Sequence, residues 1–240
     1  MNVKRAPVFG EIGGALWQTP VLIVAVPRRW VGPMLRAGVG PWLDRGMRCP
    51  VCAGGLGSWG GYWRRVRVSR SIFRLRVRRA CCMGCERTHA LLPGFLLARR
   101  LDVVDVVGCA LEMAAEGRGY RPIAAALGRK ETTVRSWLRR LRARVDVLRG
   151  WFVAVAVEMA EPPPRAPPGC SALGLLVRAI SDAFLAARLR LGPGAVRGGV
   201  WAFCSAATTG GLLSNTGVLW SRASGRGRLP ASCLSSPWRS

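Results

Sequence analysis

The stretch Arg118–Arg149 limits the possible folds most, because two helical patterns meet in it at Gly128. The first pattern puts Ile123, Ala124 and Leu127 on one face of a short helix. After the glycine, apolar residues recur at helical spacing at Val134, Trp137, Leu138, Leu141, Val145 and Leu148. The opposite face carries Thr132, Arg135, Ser136 and Arg139. We therefore predict a short helix, a tight turn and one continuous helix over 131–149, which is a helix-turn-helix arrangement.

An ordinary pair of antiparallel helices with solvated arginines is the alternative interpretation of this stretch. Nine lysines and arginines lie between Arg118 and Arg144, against one acid, Glu131. A helix that is merely solvated usually mixes the two signs of charge. The whole chain has a formal net charge of +25, and 35 of its 37 basic residues are arginines. This clustered charge favours a surface that binds a polyanion, with nucleic acid the first candidate.

Two C-x-x-C pairs predict a metal site. Cys49-Pro-Val-Cys52 and Cys82-Met-Gly-Cys85 are separated by 29 residues, and together they offer the four thiolates that a tetrahedral zinc ion needs. Cys81 and His89 are alternative ligands, although Cys82 completes the second pair. The nine cysteines are an odd number, and the sequence contains no convincing signal peptide. This combination fits metal binding better than a disulfide framework.

A β-hairpin is predicted between the two cysteine pairs. Residues 64–79 contain eight arginines and no acid, and valines or leucines alternate with arginines on both sides of a Ser-Arg-Ser turn. This period of two gives the hairpin one apolar face and one cationic face. We expect the cationic face to contact phosphates through Arg67, Arg74, Arg76 and Arg78. The alternative is that some of these arginines only neutralise the thiolate centre.

The predicted fold class is mainly α with a small β zinc ribbon. In that prediction the ribbon is followed by a three-helix helix-turn-helix unit, whose first helix spans 99–116, and by a C-terminal helical segment. The predicted divisions are an irregular leader over 1–46, compatible with a misassigned start codon, the zinc ribbon over 47–95, the helix-turn-helix domain over 96–150, a Pro-rich linker over 151–170, a helical segment over 171–220 and a disordered tail over 221–240.

The C-terminal half carries two further predictions. The apolar repeat in 171–191 is expected to pack on its own domain or on a second subunit as a homodimer contact. The uncharged run Gly198–Trp220 has five glycines and several polar residues, so we do not expect it to span a membrane. A cytoplasmic, nucleoid-associated location follows from these expectations.

Several motifs in order resemble an uncharacterised bacterial family of zinc-ribbon plus helix-turn-helix proteins. They are CPVC, WGGYWR, CMGC, THALLPGF and IAAALGR followed by TTVRSWLRRLRAR, and the resemblance covers about residues 47–192. Such proteins accompany transposon and integrase genes and look like the N-terminal DNA-binding part of insertion-sequence transposases. The resemblance implies that Cys49, Cys52, Cys82 and Cys85 ligate Zn²⁺ and that Thr132, Arg135, Ser136 and Arg139 face the major groove. It also implies a transposase or integrase as a partner.

The leading hypothesis is a non-enzymatic, sequence-specific protein that binds double-stranded DNA, as a transcriptional regulator or a mobile-element accessory factor. A transposase, or a fragment of one, is the first alternative. Strand transfer needs a cluster of acids holding two metal ions. Only Glu158, Glu161 and Asp182 follow the predicted helix-turn-helix, without a run of buried strands. Association with RNA or the ribosome through the zinc ribbon is the second alternative.

Overall fold

The computed structural model describes residues 21–41, 43, 46–159 and 169–214, which form four strands and seven helices. The strands are β1 (Val21–Val24), β2 (Leu56–Val68), β3 (Ser71–Cys82) and β4 (Thr88–Pro93). The helices are α1 (Arg28–Ala37), α2 (Val104–Ala115), α3 (Tyr120–Leu127), α4 (Glu131–Arg142), α5 (Val145–Met159), α6 (Ala172–Leu191) and α7 (Val200–Ala207).

The strands form one mixed sheet in the order β1-β4-β3-β2. The predicted hairpin is present as β2 and β3, which pair antiparallel from Leu56–Cys82 down to Val68–Ser71. A bulge between Ser58 and Gly61 shifts the register of this pair. Strand β4 pairs antiparallel with β3, and β1 pairs parallel with β4. The hairpin is therefore one half of a larger sheet.

The predicted fold class, mainly α with a small zinc ribbon and a three-helix unit, is wrong. Residues 21–93 are mostly strand, and β1 and β4 extend the hairpin to a four-stranded sheet. Strand β1 and helix α1 also replace part of the leader that was predicted to be irregular over 1–46; residues 1–20, 42, 44 and 45 lie outside the described residues. The sequence hides β1 because short apolar runs such as Val21–Val24 carry no diagnostic period.

Burial on both faces of the sheet explains the apolar character of β1. Leu22 and Val24 belong to one buried cluster and Ile23 to another, on the opposite side. A parallel strand with both faces covered has no polar residues to alternate with. Its pairing with β4 joins segments that are distant in the chain, which a local pattern does not reveal.

Helices α2 to α7 share one core instead of forming a separate three-helix unit. The buried cluster that contains Val107 of α2, Ile123 of α3 and Leu138 of α4 continues through α5 and α6 to Phe203 of α7. Helix α6, the predicted dimerisation segment, buries Leu173, Leu176, Ile180, Ala183 and Ala187 within this same cluster. A homodimer contact there stays a prediction.

The helix predicted to be continuous over 131–149 is two helices. Helix α4 ends at Arg142 and α5 begins at Val145. At the break, the Arg144 guanidinium donates to the carbonyl oxygens of Gly211 and Ser214 at 3.2 and 2.7 Å. The chain thus changes direction so that α5 packs along α6. Helix α5 also includes residues 151–159 of the predicted linker, while the Pro-rich residues 160–168 and the predicted tail, 221–240, lie outside the described residues.

Helix α2 begins at Val104, five residues later than the predicted start at Arg99. The two residues before it form β-bridges instead, Asp102 with Arg67 of β2 and Val103 with Leu96. Within the described residues, no helix is both long enough and apolar enough to cross a membrane.

Close contact between α2 and α7 depends on Gly108. A Cβ atom at this position would overlap the Trp201 indole, whose Nε1–H donates to Glu112 at 3.0 Å.

We predict that Gly108→Ala lowers the free energy of unfolding by about 1–3 kcal/mol through overpacking. Urea denaturation measures the change. Gly150→Ala in α5 is the matched control: nothing lies within 4 Å of its Cβ position, and the substitution should stabilise by about 0.5–1 kcal/mol. Equal effects of the two substitutions would contradict the packing argument.

Candidate metal centre and cationic surface

Four cysteine sulfurs converge at the end of the sheet. The Sγ atoms of Cys49, Cys52, Cys82 and Cys85 all lie within 4.8 Å of one another. The Cys52–Cys82 and Cys49–Cys85 pairs are 3.3 and 3.6 Å apart. Around an ion with metal–sulfur bonds of about 2.3 Å, tetrahedral geometry separates the sulfurs by about 3.8 Å. These four residues could therefore hold one metal ion, as the two C-x-x-C pairs predicted.

The two cysteine pairs have the same local conformation. The N–H of the first cysteine donates to the carbonyl five residues later, in Cys49–Gly54 and in Cys82–Arg87, at 2.9 Å in each case. The N–H two residues later donates to the first sulfur, from Val51 at 3.4 Å and from Gly84 at 3.3 Å. The residue after each second cysteine, Ala53 or Glu86, is left-handed with φ of 58° or 57°. Both turns therefore present two sulfurs in the same way.

Backbone N–H groups support the thiolate form of Cys82, and a glycine leaves room for the sulfurs. The N–H groups of Cys85 and Gly84 donate to Sγ of Cys82 and lower the pKa of that thiol to about 6. A Cβ at Gly54 would lie 3.1 Å from the Cys82 sulfur and 3.3 Å from the Cys52 sulfur. Glycine at this position leaves the sulfurs room to converge.

Neither alternative ligand is among the four converging residues. Cys81 donates to the carbonyl oxygen of Glu86 at 3.4 Å. His89 is fully buried and contacts the cluster, with its Nε2 3.3 Å from the Cys49 sulfur. Residues that hydrogen-bond a metal ligand from outside commonly orient it, and His89 is in the position to do so for Cys49.

Helix α4 buries one face and exposes the predicted DNA-binding face. Val134, Trp137, Leu138 and Leu141 are buried. Thr132, Arg135 and Arg139 are exposed, and Ser136 is half-buried and accepts a bond from Nε of Arg140 at 3.4 Å. The Arg135 guanidinium lies 5.9 Å from the centre of the Tyr120 ring on α3. The turn before α4 depends on Gly128, which ends α3 in the left-handed conformation with φ of 60°.

The hairpin register places three exposed arginines and a tryptophan on one face. Trp63 pairs with Arg76 and Arg65 pairs with Arg74, and directly opposite residues share a face of the sheet. We call these four residues the outer hairpin face. Arg65, Arg74 and Arg76 are exposed. The residues that alternate with arginines on these strands are buried, as the period of two predicted: Val66, Leu75 and Val77.

The other predicted phosphate-binding arginines are less accessible. Arg78 pairs with Gly61 on the outer side of the hairpin and is half-buried; desolvation and the charge of Arg76 lower its pKa. Arg67 is ion-paired within the chain. Arg64 points inward, where its guanidinium donates to the carbonyl oxygens of Leu97 and Arg100. Fewer than eight of the arginines in 64–79 are therefore accessible to phosphates.

A buried carboxylate joins the sheet to the α3–α4 turn. Asp102 accepts two bonds from Arg67 of β2, at 2.8 and 2.7 Å, and one from Arg129, at 2.7 Å. The side chains of Asp102 and Arg129 are 4% and 1% exposed. Arg129 also donates to the carbonyl oxygens of Leu127 and Gly128. This triad fixes the start of α4 against the hairpin.

Sequence reasoning missed Asp102 and Arg129. Asp102 was placed inside a predicted helix, and Arg129 was counted only as one more positive charge. A weak signal was present, since Asp102 is one of only 12 acids in a chain with 37 basic residues. Acids that stay in so basic a chain are candidates for specific pairing, but the partners come from segments that only the fold brings together.

Comparison with family models matches the middle of the chain. A family model described as "Domain of unknown function (DUF6431)" matches residues 49–137. That segment begins at the first cysteine of the cluster and ends within α4, so it includes the cluster, the hairpin and the triad. Neither curated proteins nor solved structures gave a match to the chain.

The cluster predicts that replacing Cys52, which belongs to it, and replacing Cys81, which does not, affect metal binding differently. Cys52→Ser removes one of the four converging sulfurs, and we expect bound metal to fall from about one ion per chain to near zero, because structural sites need all four ligands. Cys81→Ser should keep the ion, since Cys81 lies outside the cluster. Elemental analysis of the purified variants measures the stoichiometry. Metal loss from Cys81→Ser alone would contradict this assignment.

The triad predicts a large stability loss at Asp102. Asp102→Ala leaves two guanidinium groups facing each other, one of them buried, and should lower the free energy of unfolding by about 3–5 kcal/mol. The matched control is Asp146→Ala, which removes an 81% exposed carboxylate 3.5 Å from Arg149 and should change stability by about 0–1 kcal/mol. Chemical denaturation compares the two. Similar small changes in both variants would mean that the triad is not a structural link.

Proposed function

We propose that this protein binds double-stranded DNA without cleaving it. In this proposal α3 and α4 act as a helix-turn-helix whose second helix lies in the major groove, while the outer hairpin face contacts the phosphate backbone. The resemblance of the sequence to zinc-ribbon plus helix-turn-helix proteins supports the same function. The role would be that of a transcriptional regulator or of an accessory factor that works with a transposase or integrase.

The observation that carries the proposal is the contiguity of two cationic surfaces. Arg70, in the turn of the hairpin, has its Nε 4.0 Å from the Cβ position of Gly128, in the turn before α4. The Arg67–Asp102–Arg129 triad holds the same two turns together. The hairpin turn therefore lies next to the turn before α4, and in this proposal one polyanion contacts both the outer hairpin face and the exposed face of α4. A polyanion longer than one helix would be the natural ligand for two such surfaces.

The two parts of this surface suit different contacts. Arg135 and Arg139 are exposed one helical turn apart on α4, beside Thr132 and Ser136. Arginine donates to the O6 and N7 edge of guanine in the major groove, and hydroxyl groups adapt to either partner. The exposed hairpin arginines suit phosphates, which position the protein without reading sequence. Arg78 suits this role less, because desolvation and then the charge of Arg76 lower its pKa.

We propose zinc as the ion in the cysteine cluster. Four sulfur donors at tetrahedral spacing suit zinc, and zinc has no redox chemistry of its own. The site closes the end of the sheet: Cys82 is the last residue of β3, and Cys49 and Cys52 belong to the segment that covers Leu91 and Ala80 through Met47. In this position the ion stabilises the hairpin and takes no part in a reaction.

Selection from random duplexes, with and without a chelator, tests the proposal. We expect the full chain to enrich a defined site and the chelator to abolish the enrichment. Arg135→Ala should flatten the sequence preference at one or two positions by about 1–3 kcal/mol. Arg76→Ala should weaken binding to all duplexes alike. If about six phosphates are contacted, the slope of log K against log[salt] should be near −5.

The control for charge alone is Arg190→Ala, which removes an exposed arginine from α6. It should leave both affinity and preference unchanged. Equal losses from Arg190→Ala and Arg76→Ala would show that net charge, not the proposed surface, attracts DNA. Stronger binding to structured RNA than to any duplex would favour RNA association instead, and metal-dependent strand cleavage would favour a transposase.

A further inference from the structure

Trp63 is an exposed member of the outer hairpin face. It lies on β2 with Arg65 and opposite Arg76 of β3, and the residue is 55% exposed. The Arg74 guanidinium lies over its ring at 5.2 Å from the centroid. On another side, the Cβ position of Gly38 lies 3.6 Å from Cζ3 of the indole. The ring is thus positioned by its neighbours, yet most of its surface faces solvent.

Binding of a duplex would not involve the Trp63 ring. In the proposed complex Arg65, Arg74 and Arg76 contact the phosphates, whereas the flat faces of the bases are stacked inside the double helix and cannot reach the indole. An unpaired nucleotide offers both groups at once: a phosphate for the arginines and a free aromatic face for the indole. An aromatic platform among arginines is the arrangement that suits unpaired nucleotides.

From this geometry we propose that the outer hairpin face binds unpaired DNA, with a base stacked on Trp63 and its phosphates held by Arg65, Arg74 and Arg76. Because the triad fixes this face beside the start of α4, the preferred ligand is a duplex with a single-stranded extension. The position of the extension next to a duplex rests on the proposed function. Stacking on Trp63 itself does not.

The test compares five labelled nucleic acids by fluorescence anisotropy at one salt concentration. They are a blunt duplex, the same duplex with a short thymidine tail, with an equally long abasic tail or with an equally long ribonucleotide tail, and the thymidine strand alone. Thymidine is chosen because it stacks weakly on itself and leaves its bases free. Both tail polarities are included. We expect the thymidine tail to tighten binding between about 5-fold and 150-fold for one stacked base, and the abasic tail to give much less.

Variants of the full chain assign the gain to the indole. Trp63→Ala should abolish the gain from the thymidine tail, taken as the ratio of the affinities of the same variant for the tailed and the blunt duplex, and Trp63→Phe should keep most of the gain. Trp30→Ala, which removes a 53% exposed tryptophan from α1, is the matched control and should behave as the unaltered chain. Thermal unfolding confirms that each variant is folded.

Four results would overturn the inference. They are equal gains from abasic and thymidine tails, a gain that survives Trp63→Ala, a gain lost equally in Trp30→Ala, and a ribonucleotide tail that binds more tightly than the DNA tail. If the blunt duplex does not bind but a free thymidine strand binds in a Trp63-dependent way, the proposed function fails while stacking on Trp63 is supported.

Discussion

The buried carboxylate of Asp102 is the interaction on which the arrangement of the cationic surfaces depends. Two arginines from different parts of the chain share it, and backbone bridges continue the contact from β2 to residues 101–103. A lone buried charge is strongly unfavourable, so each member of the triad requires the others. Removing one partner therefore frees the α3–α4 turn from the hairpin as well as weakening a single bond. The relative position of two surfaces is thereby set by one side chain.

The cysteine cluster anchors one end of the hairpin, and the triad anchors the other end, near the turn. Strands β2 and β3 extend well beyond β4, which pairs with β3 only from Arg78 to Cys81. Long two-stranded ribbons are weak alone. The four sulfurs tie Cys82 at the end of β3 to the segment around Cys49, and the triad anchors β2 at Arg67. The hairpin is therefore fixed at both ends, which holds its strands and their arginines in position.

The sequence patterns predicted the features that depend on residues close together in the chain. The spacing of the cysteine pairs identified all four converging residues, and alternation identified the hairpin and its buried residues Val66, Leu75 and Val77. The same patterns missed β1, since its pairing with β4 is non-local, and they extended one apolar stripe through the break at Arg144. The continuity of an apolar stripe does not distinguish one helix from two. At the break, Arg144 bonds to the carbonyl oxygens of Gly211 and Ser214, which are too distant in the chain for a local pattern to reveal.

Net charge overstates the surface that can meet a polyanion in this chain. Arg64, Arg67, Arg129 and Arg144 bond to groups of the protein itself. These arginines serve as long, permanently charged donors that join segments, a structural use for which the guanidinium is well shaped. What distinguishes Arg65, Arg74, Arg76, Arg135 and Arg139 is their exposure on two adjacent surfaces. The positions of these exposed arginines, and the triad that links the two surfaces, favour a nucleic-acid partner more than the total charge of +25 does.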